Sequence, residues 1–209
     1  MLPWSHLGVG YLVYSLLVRV GTGESPRGGP VLAMVLGTQF PDLLDKPLNW
    51  WFSVLDGRGI GHSLLTMVPL CVAVYLFARR YDRGPLGAAF GVGVLTHLPG
   101  DAWVALLSGE FPAEASYLLW PLLPAPTYPK DSLADHVAAI VASLQEPIRV
   151  AMGVDSVLDL VGLLLGLSLR FVFVLVPLLV WRADGYPGLR TVWTVTTRSG
   201  PGRGPDRHD

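Results

Sequence analysis

The stretch PLGAAFGVGVLTHLPGDAWVALL, residues 85–107, decides the reading of this chain. It is long enough and apolar enough to cross a bilayer as a helix, for which about 20 residues are needed. Yet it carries His97 and Asp101, four positions apart. Residues four apart in a helix lie one turn apart on nearly the same face, so the pair can address one ion. Pro99 between them leaves a kink or a helix end as the competing outcome. Ionisable groups at membrane depth are costly and usually functional.

The rest of the chain fits an integral membrane protein. Of its residues 51% are hydrophobic and 15% charged, with seven Trp, where a soluble domain has about 25% charged; mean hydropathy is +0.47. A net charge of -1 offers nothing to nucleic acid. The single cysteine, Cys71, excludes an intramolecular disulfide and a cysteine-based zinc site. The predicted fold is all-α: a polytopic transmembrane bundle of about five spans plus an extramembrane amphipathic helix. The spans are Trp4–Val20, a short or re-entrant Pro30–Phe40, Gly61–Ala78, Pro85–Leu107 and about Ser156–Trp181. The first has no basic residue before it and no small-residue cleavage site, so it reads as a retained span, not a signal peptide. Residues 1–182 form one domain, and the Gly/Pro/Arg-rich tail 183–209 reads as disordered. In DSLADHVAAIVASLQ (131–145), Leu133, Val137, Ile140, Val141 and Leu144 share a stripe behind a Ser132/Asp135 cap. Such a helix lies against the membrane or the bundle.

Arginines set the orientation. Arg19, Arg27, ARRYDR (78–83) and Arg182 mark one side as cytoplasmic. Alternating spans then carry His6, Asp42, Asp45, His62, His97 and Asp101 to the opposite, extracytoplasmic side. In FPDLLDKP (40–47), Pro41 ends the second span and delivers Asp42 and Asp45 to the surface; GRGIGHSLL (57–65) sets Arg58 in a loop before His62 and Ser63. Each residue also has a plainer role. His6 and His62 serve as surface or capping residues, the aspartates as turn carboxylates, Arg58 as a partner of Asp56 or a headgroup, Ser63 as a cap, and His136 as a surface histidine. Together, imidazoles and carboxylates from four spans suit zinc or manganese better than calcium.

Five segments in order, SHLGVGYL, FPDLLDKP, GRGIGHSLL, THLPGD and YLLWPLLP, cover about residues 1–124. They resemble the hallmarks of the YdjM-like, LexA-regulated inner-membrane family of metal-dependent hydrolases. That family is distantly similar to zinc phospholipase C and P1 nuclease. The resemblance implies His6, Asp42, His62, His97 and Asp101 as ligands of a divalent transition metal, zinc or manganese. It implies hydrolysis of a small-molecule or lipid phosphoester. Asp45 (or Asp42, if not a ligand) would accept the proton of the attacking water, and Arg58 would pair with phosphate. The chain departs from the pattern at Lys46 and Gly57, where the family has histidines, and at Gly61, where it has threonine. Asp45 stands one position later than the family's second aspartate.

A non-enzymatic alternative is a transporter or proton-coupled carrier relaying through His97, Asp101, Asp159 and Arg170. A third reading is a metal that only staples helices. GAAFG (87–91) and GLLLG (162–166) offer small-residue faces for close helix packing, within the chain or in a homo-oligomer.

Overall fold

Residues 3–54, 57–107, 109, 113–126, 132–189 and 191–193 are described by the structure, a computed structural model. Six α-helices carry the fold: α1 Pro3–Thr22, α2 Gly28–Phe52, α3 Leu64–Arg80, α4 Gly84–Leu107, α5 Leu133–Met152 and α6 Val157–Ala183. Short 3₁₀ turns at Ile60–His62 and Ala113–Leu119 join them, and no strand occurs among the described residues.

Helix α4 is the axis, in contact with α1, α2 and α3. Its N-terminal half is small-residue rich, and the glycines decide how near its neighbours come. A Cβ on Gly37 of α2 would stand 2.2 Å from the Phe90 carbonyl oxygen, and one on Gly93 of α4 2.3 Å from that of Met34. The two backbones therefore touch. On the α1 and α2 side, Tyr11, Tyr14, Val31, Met34 and Ala89 form one core cluster. On the α3 side, Met67, Cys71, Phe90, Val94 and Leu98 form the other. Gly87 of GAAFG is spent inside the chain, where a Cβ would meet the Tyr75 backbone at 2.7 Å; Gly162 and Gly166 of GLLLG face open space.

The helices α1 to α4 alternate in direction. Arg19, Arg27, Arg79, Arg80 and Arg83 gather at one end, and His6, Asp42, His62, His97 and Asp101 at the other. Helix α6 runs parallel to α1: Gly8 abuts Phe173 and Pro177, and Asp184, at the end of α6, receives α1. There Tyr11 and Ser15 donate to Asp184 Oδ2 at 2.6 and 2.9 Å, and Arg19 pairs with Oδ1. The first half of α6 thus extends about 24 Å, 16 residues at 1.5 Å each, beyond the level of Gly8. That half is exposed and apolar, with Leu158 and Leu165 82% and 60% accessible.

Three expectations need correction. Helix α2 does not end at Pro41; it continues through Pro41 and Pro47 to Phe52. A proline inside a helix forfeits a hydrogen bond and strains the preceding turn. Here Pro41 is buried against the Gly61 loop, where a Gly61 Cβ would stand 2.5 Å from its carbonyl oxygen, and packing carries the helix through. Helix α4 likewise passes Pro99 unbroken to Leu107. The tail begins later than expected, since residues 184–189 and 191–193 fold back so that Pro187 and Gly188 are buried and Thr191 abuts Gly28. Of the spans expected, α6 is the helix among the described residues that is long and apolar enough to cross a membrane. The amphipathic helix is present as α5, closed by a capping box between Ser132 and Asp135 and longer than its sequence stripe.

Two expected outcomes follow. Gly93→Ala must part α2 from α4 and should cost about 1–3 kcal/mol or more, read as a lowered unfolding midpoint in detergent. Burial alone would raise the Asp184 carboxyl, but its donors Tyr11, Ser15 and Arg19 outweigh burial and hold it below its ordinary 3.8. Its stabilisation is therefore full above about pH 4 and fades as pH falls through the lowered folded value. Asp184→Ala leaves the Tyr11 and Ser15 hydroxyls without their acceptor. It should cost about 2–4 kcal/mol at neutral pH and flatten the acid limb of a stability profile.

Candidate metal centre

The end of the bundle opposite the arginines of α1, α3 and α4 holds a closely packed polar cluster. His6 comes from the first turns of α1, Asp42 and Asp45 from α2, His62 from the 3₁₀ turn, and His97 and Asp101 from α4. His6, Asp45, His62, His97 and Asp101 are buried, and Asp42 is partly so, with its side chain 18% accessible.

The imidazoles are held from behind. His97 donates from Nδ1 to the Thr38 carbonyl at 2.7 Å, a contact that the Gly37–Gly93 approach makes reachable. His62 donates from Nδ1 to Asp45 Oδ2 at 2.8 Å. A carbonyl and a carboxylate accept, so each Nδ1 carries a proton, and Nε2 is the atom each neutral imidazole would offer a metal. Those two Nε2 atoms face one another at 3.3 Å. Around them stand Asp42 Oδ1, 3.5 Å from His62 Nε2, and Asp101 Oδ2, 3.6 Å from His62 Nε2 and 3.9 Å from His97 Nε2. His6 stacks on His97 with ring centroids 3.9 Å apart and sets its Nε2 3.2 Å from Asp101 Oδ1. Its Nδ1 is buried without a hydrogen-bond partner among the described residues.

Two groups of potential ligand atoms result, His6–His97–Asp101 and Asp42–His62–His97, each with its atoms within 4.8 Å of one another. They share His97, whose Nδ1 is already bonded to Thr38, so it can give one ion one lone pair. A buried array of imidazole nitrogens and carboxylates, with an orphaned His6 nitrogen beside it, fits a divalent cation in donor type. Backbonding of ligand histidines to a carboxylate or a carbonyl is the usual support for such a site.

Asp45 lies behind His62 rather than facing the cluster. Its Oδ2 accepts from the backbone N–H of Gly59 at 2.7 Å, its Oδ1 from that of Gly61 at 2.8 Å, and His62 uses Oδ2 as well. A carboxylate so occupied orients the loop; as it stands it is not placed to take a proton from water. Arg58 pairs with Asp101 Oδ2 at 3.0 Å and lies over the ring of Tyr117, its Cζ 5.1 Å from the centroid. The alternative partner for Arg58, Asp56, lies outside the described residues. Ser63 caps α3 by accepting from the Leu65 N–H.

Several participants escape the sequence. The Thr38 carbonyl has no side-chain signal, because a backbone oxygen is present at every residue. Tyr117, wholly buried with its ring edge-on to His62, reads as one more apolar-segment aromatic. Lys46 does carry a signal, its spacing four after Asp42, and it bonds Asp42 Oδ2 at 2.8 Å. It also bonds His136 Nε2 at 3.0 Å, so His136 of α5 lies beside the cluster.

Two of the carrier residues, His97 and Asp101, belong to the cluster, and a third, Asp159, does not. Asp159 is exposed and takes a hydrogen bond from Ser156 at the start of α6, and the Arg170 side chain lies outside the described residues.

Comparison with curated proteins and with solved structures finds no match. A family model described as YdjM inner membrane protein matches residues 1–181, nearly the whole described chain. The chain belongs to the YdjM inner membrane protein family.

Proposed function

We propose that this membrane protein is a metal-dependent hydrolase with a single ion held by residues of the His/Asp cluster. The observation that carries this reading is the meeting of the His62 and His97 Nε2 atoms at 3.3 Å, each imidazole fixed from behind and faced by the carboxylates of Asp42 and Asp101. With both imidazoles neutral, those Nε2 atoms and the carboxylates of Asp42 and Asp101 form a set of donors that one cation would hold together. His97 belongs to both ligand groups, which argues for one ion rather than two. Zinc or manganese suits imidazole and carboxylate donors.

When bound, such an ion lowers the pKa of a coordinated water and polarises the scissile group. The chain's own residues do the rest. Asp45, Gly59 and Gly61 hold His62 in one orientation, and the Thr38 carbonyl does so for His97. Asp42, partly exposed, is the carboxylate of the cluster with access to solvent. Lys46 and Arg58, 23% and 27% accessible, stand over Asp42 and Asp101, so two cations flank the mouth and suit an anionic substrate such as a phosphoester. In this reading α1 to α4 are membrane-embedded, the arginine end is cytoplasmic, and the cluster opens on the extracytoplasmic side. The carrier reading needs Asp159 to meet His97 and Asp101; here it lies exposed in the first turn of α6 and accepts from the capping residue Ser156.

Purified without chelators, the chain should retain about one transition-metal ion. His97→Ala and Asp101→Ala should each lose it, as read by elemental analysis. A metal-free wild type would end the hydrolase reading, and a retained but inert ion would favour the staple. Asp45→Ala should weaken metal binding about 10–100-fold while leaving the helix content measured by circular dichroism close to wild type.

A further inference from the structure

A second site lies on the other side of α1, away from the His/Asp cluster. An apolar groove of about 540 Å³ runs between α1, α2, α6 and the segment after α6, a size typical of small-ligand sites. Leu7 and Tyr11 of α1, Leu32 and Val35 of α2, and Phe173 and Leu178 of α6 are among its walls. The close approach of Gly8 to Phe173 and Pro177 sets its floor. Gly188, at φ +92°, turns the chain so that Leu189, Val192 and Trp193 close the arginine end.

The occupant is indicated by three observations. The chain is an inner membrane protein, and one wall is α6, the helix long and apolar enough to span the bilayer, so the groove lies among acyl chains. Trp181 and Trp193 stand at the arginine end, as aromatic residues do at a membrane–water boundary. Arg182 follows Leu178 by one helical turn on the same face. It is exposed, and its guanidinium makes no ion pair with a described residue. Arg182 is not itself a wall of the groove but neighbours the wall residues Leu178 and Trp181, so a cation stands beside the apolar groove at the boundary, the charge and polarity pattern of an anionic phospholipid.

We propose that this groove binds one anionic phospholipid from the leaflet at the arginine end, its acyl chain against α1 and α6 and its phosphate on Arg182. The site stands independently of the metal centre.

The full chain is reconstituted in vesicles of equal parts phosphatidylcholine and phosphatidylglycerol, extracted in mild detergent, and its retained lipid identified by native mass spectrometry. Retention of phosphatidylglycerol over phosphatidylcholine is expected, at one lipid per chain. Arg182→Gln should lower that preference about tenfold, the loss of one charge-assisted contact, and Arg182→Lys should restore part of it. Leu178→Trp, which fills the groove, should lose both lipids, and circular dichroism shows whether each variant is folded. Wild type that retains no lipid, holds both headgroups equally, or covers the groove with a second copy seen as a lipid-free dimer overturns the proposal. So does an Arg182→Gln variant with unchanged preference.

Discussion

The approach of α2 to α4 at Gly37 and Gly93 is the constraint on which the rest of the structure depends. No side chain separates the two backbones there. One turn further on, that contact puts the Thr38 carbonyl 2.7 Å from His97 Nδ1. A larger residue at either glycine would set the imidazole free to rotate, and with it the direction of its Nε2. Helix packing and imidazole chemistry are therefore one problem in this protein. The glycines that look like a generic membrane-helix interface also fix where a lone pair points.

Charge is arranged on the same economy. The cluster brings two carboxylates, Asp42 and Asp101, towards the imidazoles, and a third, Asp45, behind them. Each has a positive or hydrogen-bonding counterpart: Lys46 for Asp42, Arg58 for Asp101, and the Gly59 and Gly61 N–H groups for Asp45. Burying a carboxylate without such partners would be expensive. The loop 57–63, which carries three glycines, supplies most of them. Its Gly61 lies so near Pro41 that a Cβ would stand 2.5 Å from that residue's carbonyl oxygen.

Much of this is legible in the sequence because its signals are local. Helical apolar runs, the His97–Asp101 spacing and the Ser132/Asp135 cap each depend on a few neighbouring residues. The gathering of His6, Asp42, His62, His97 and Asp101 also follows from span alternation and arginine placement. Legibility fails where a long-range contact overrules a local preference. Pro41 looks like a stop, and only packing against the Gly61 loop explains its place inside α2. Asp42 and Asp45 look equivalent, yet they face opposite ways because one meets Lys46 and the other the backbone of 59–61. The inward fold of residues 184–189 and 191–193 depends on Asp184 meeting three donors of α1, which no pattern within the tail announces.

The pinning of α6 at one end has a mechanical sense. With Asp184 clamped to α1 and the first half of the helix clear of the bundle, α6 is a cantilever whose deflection grows toward Ser156. Helix α5 is the strut that runs back from that free tip, and it ends on the bundle at His136, bonded to Lys46 and lying near Trp50. The tip of α6 is thus tied back, through α5 and the His136–Lys46 bond, to within one contact of Asp42 at the mouth of the cluster.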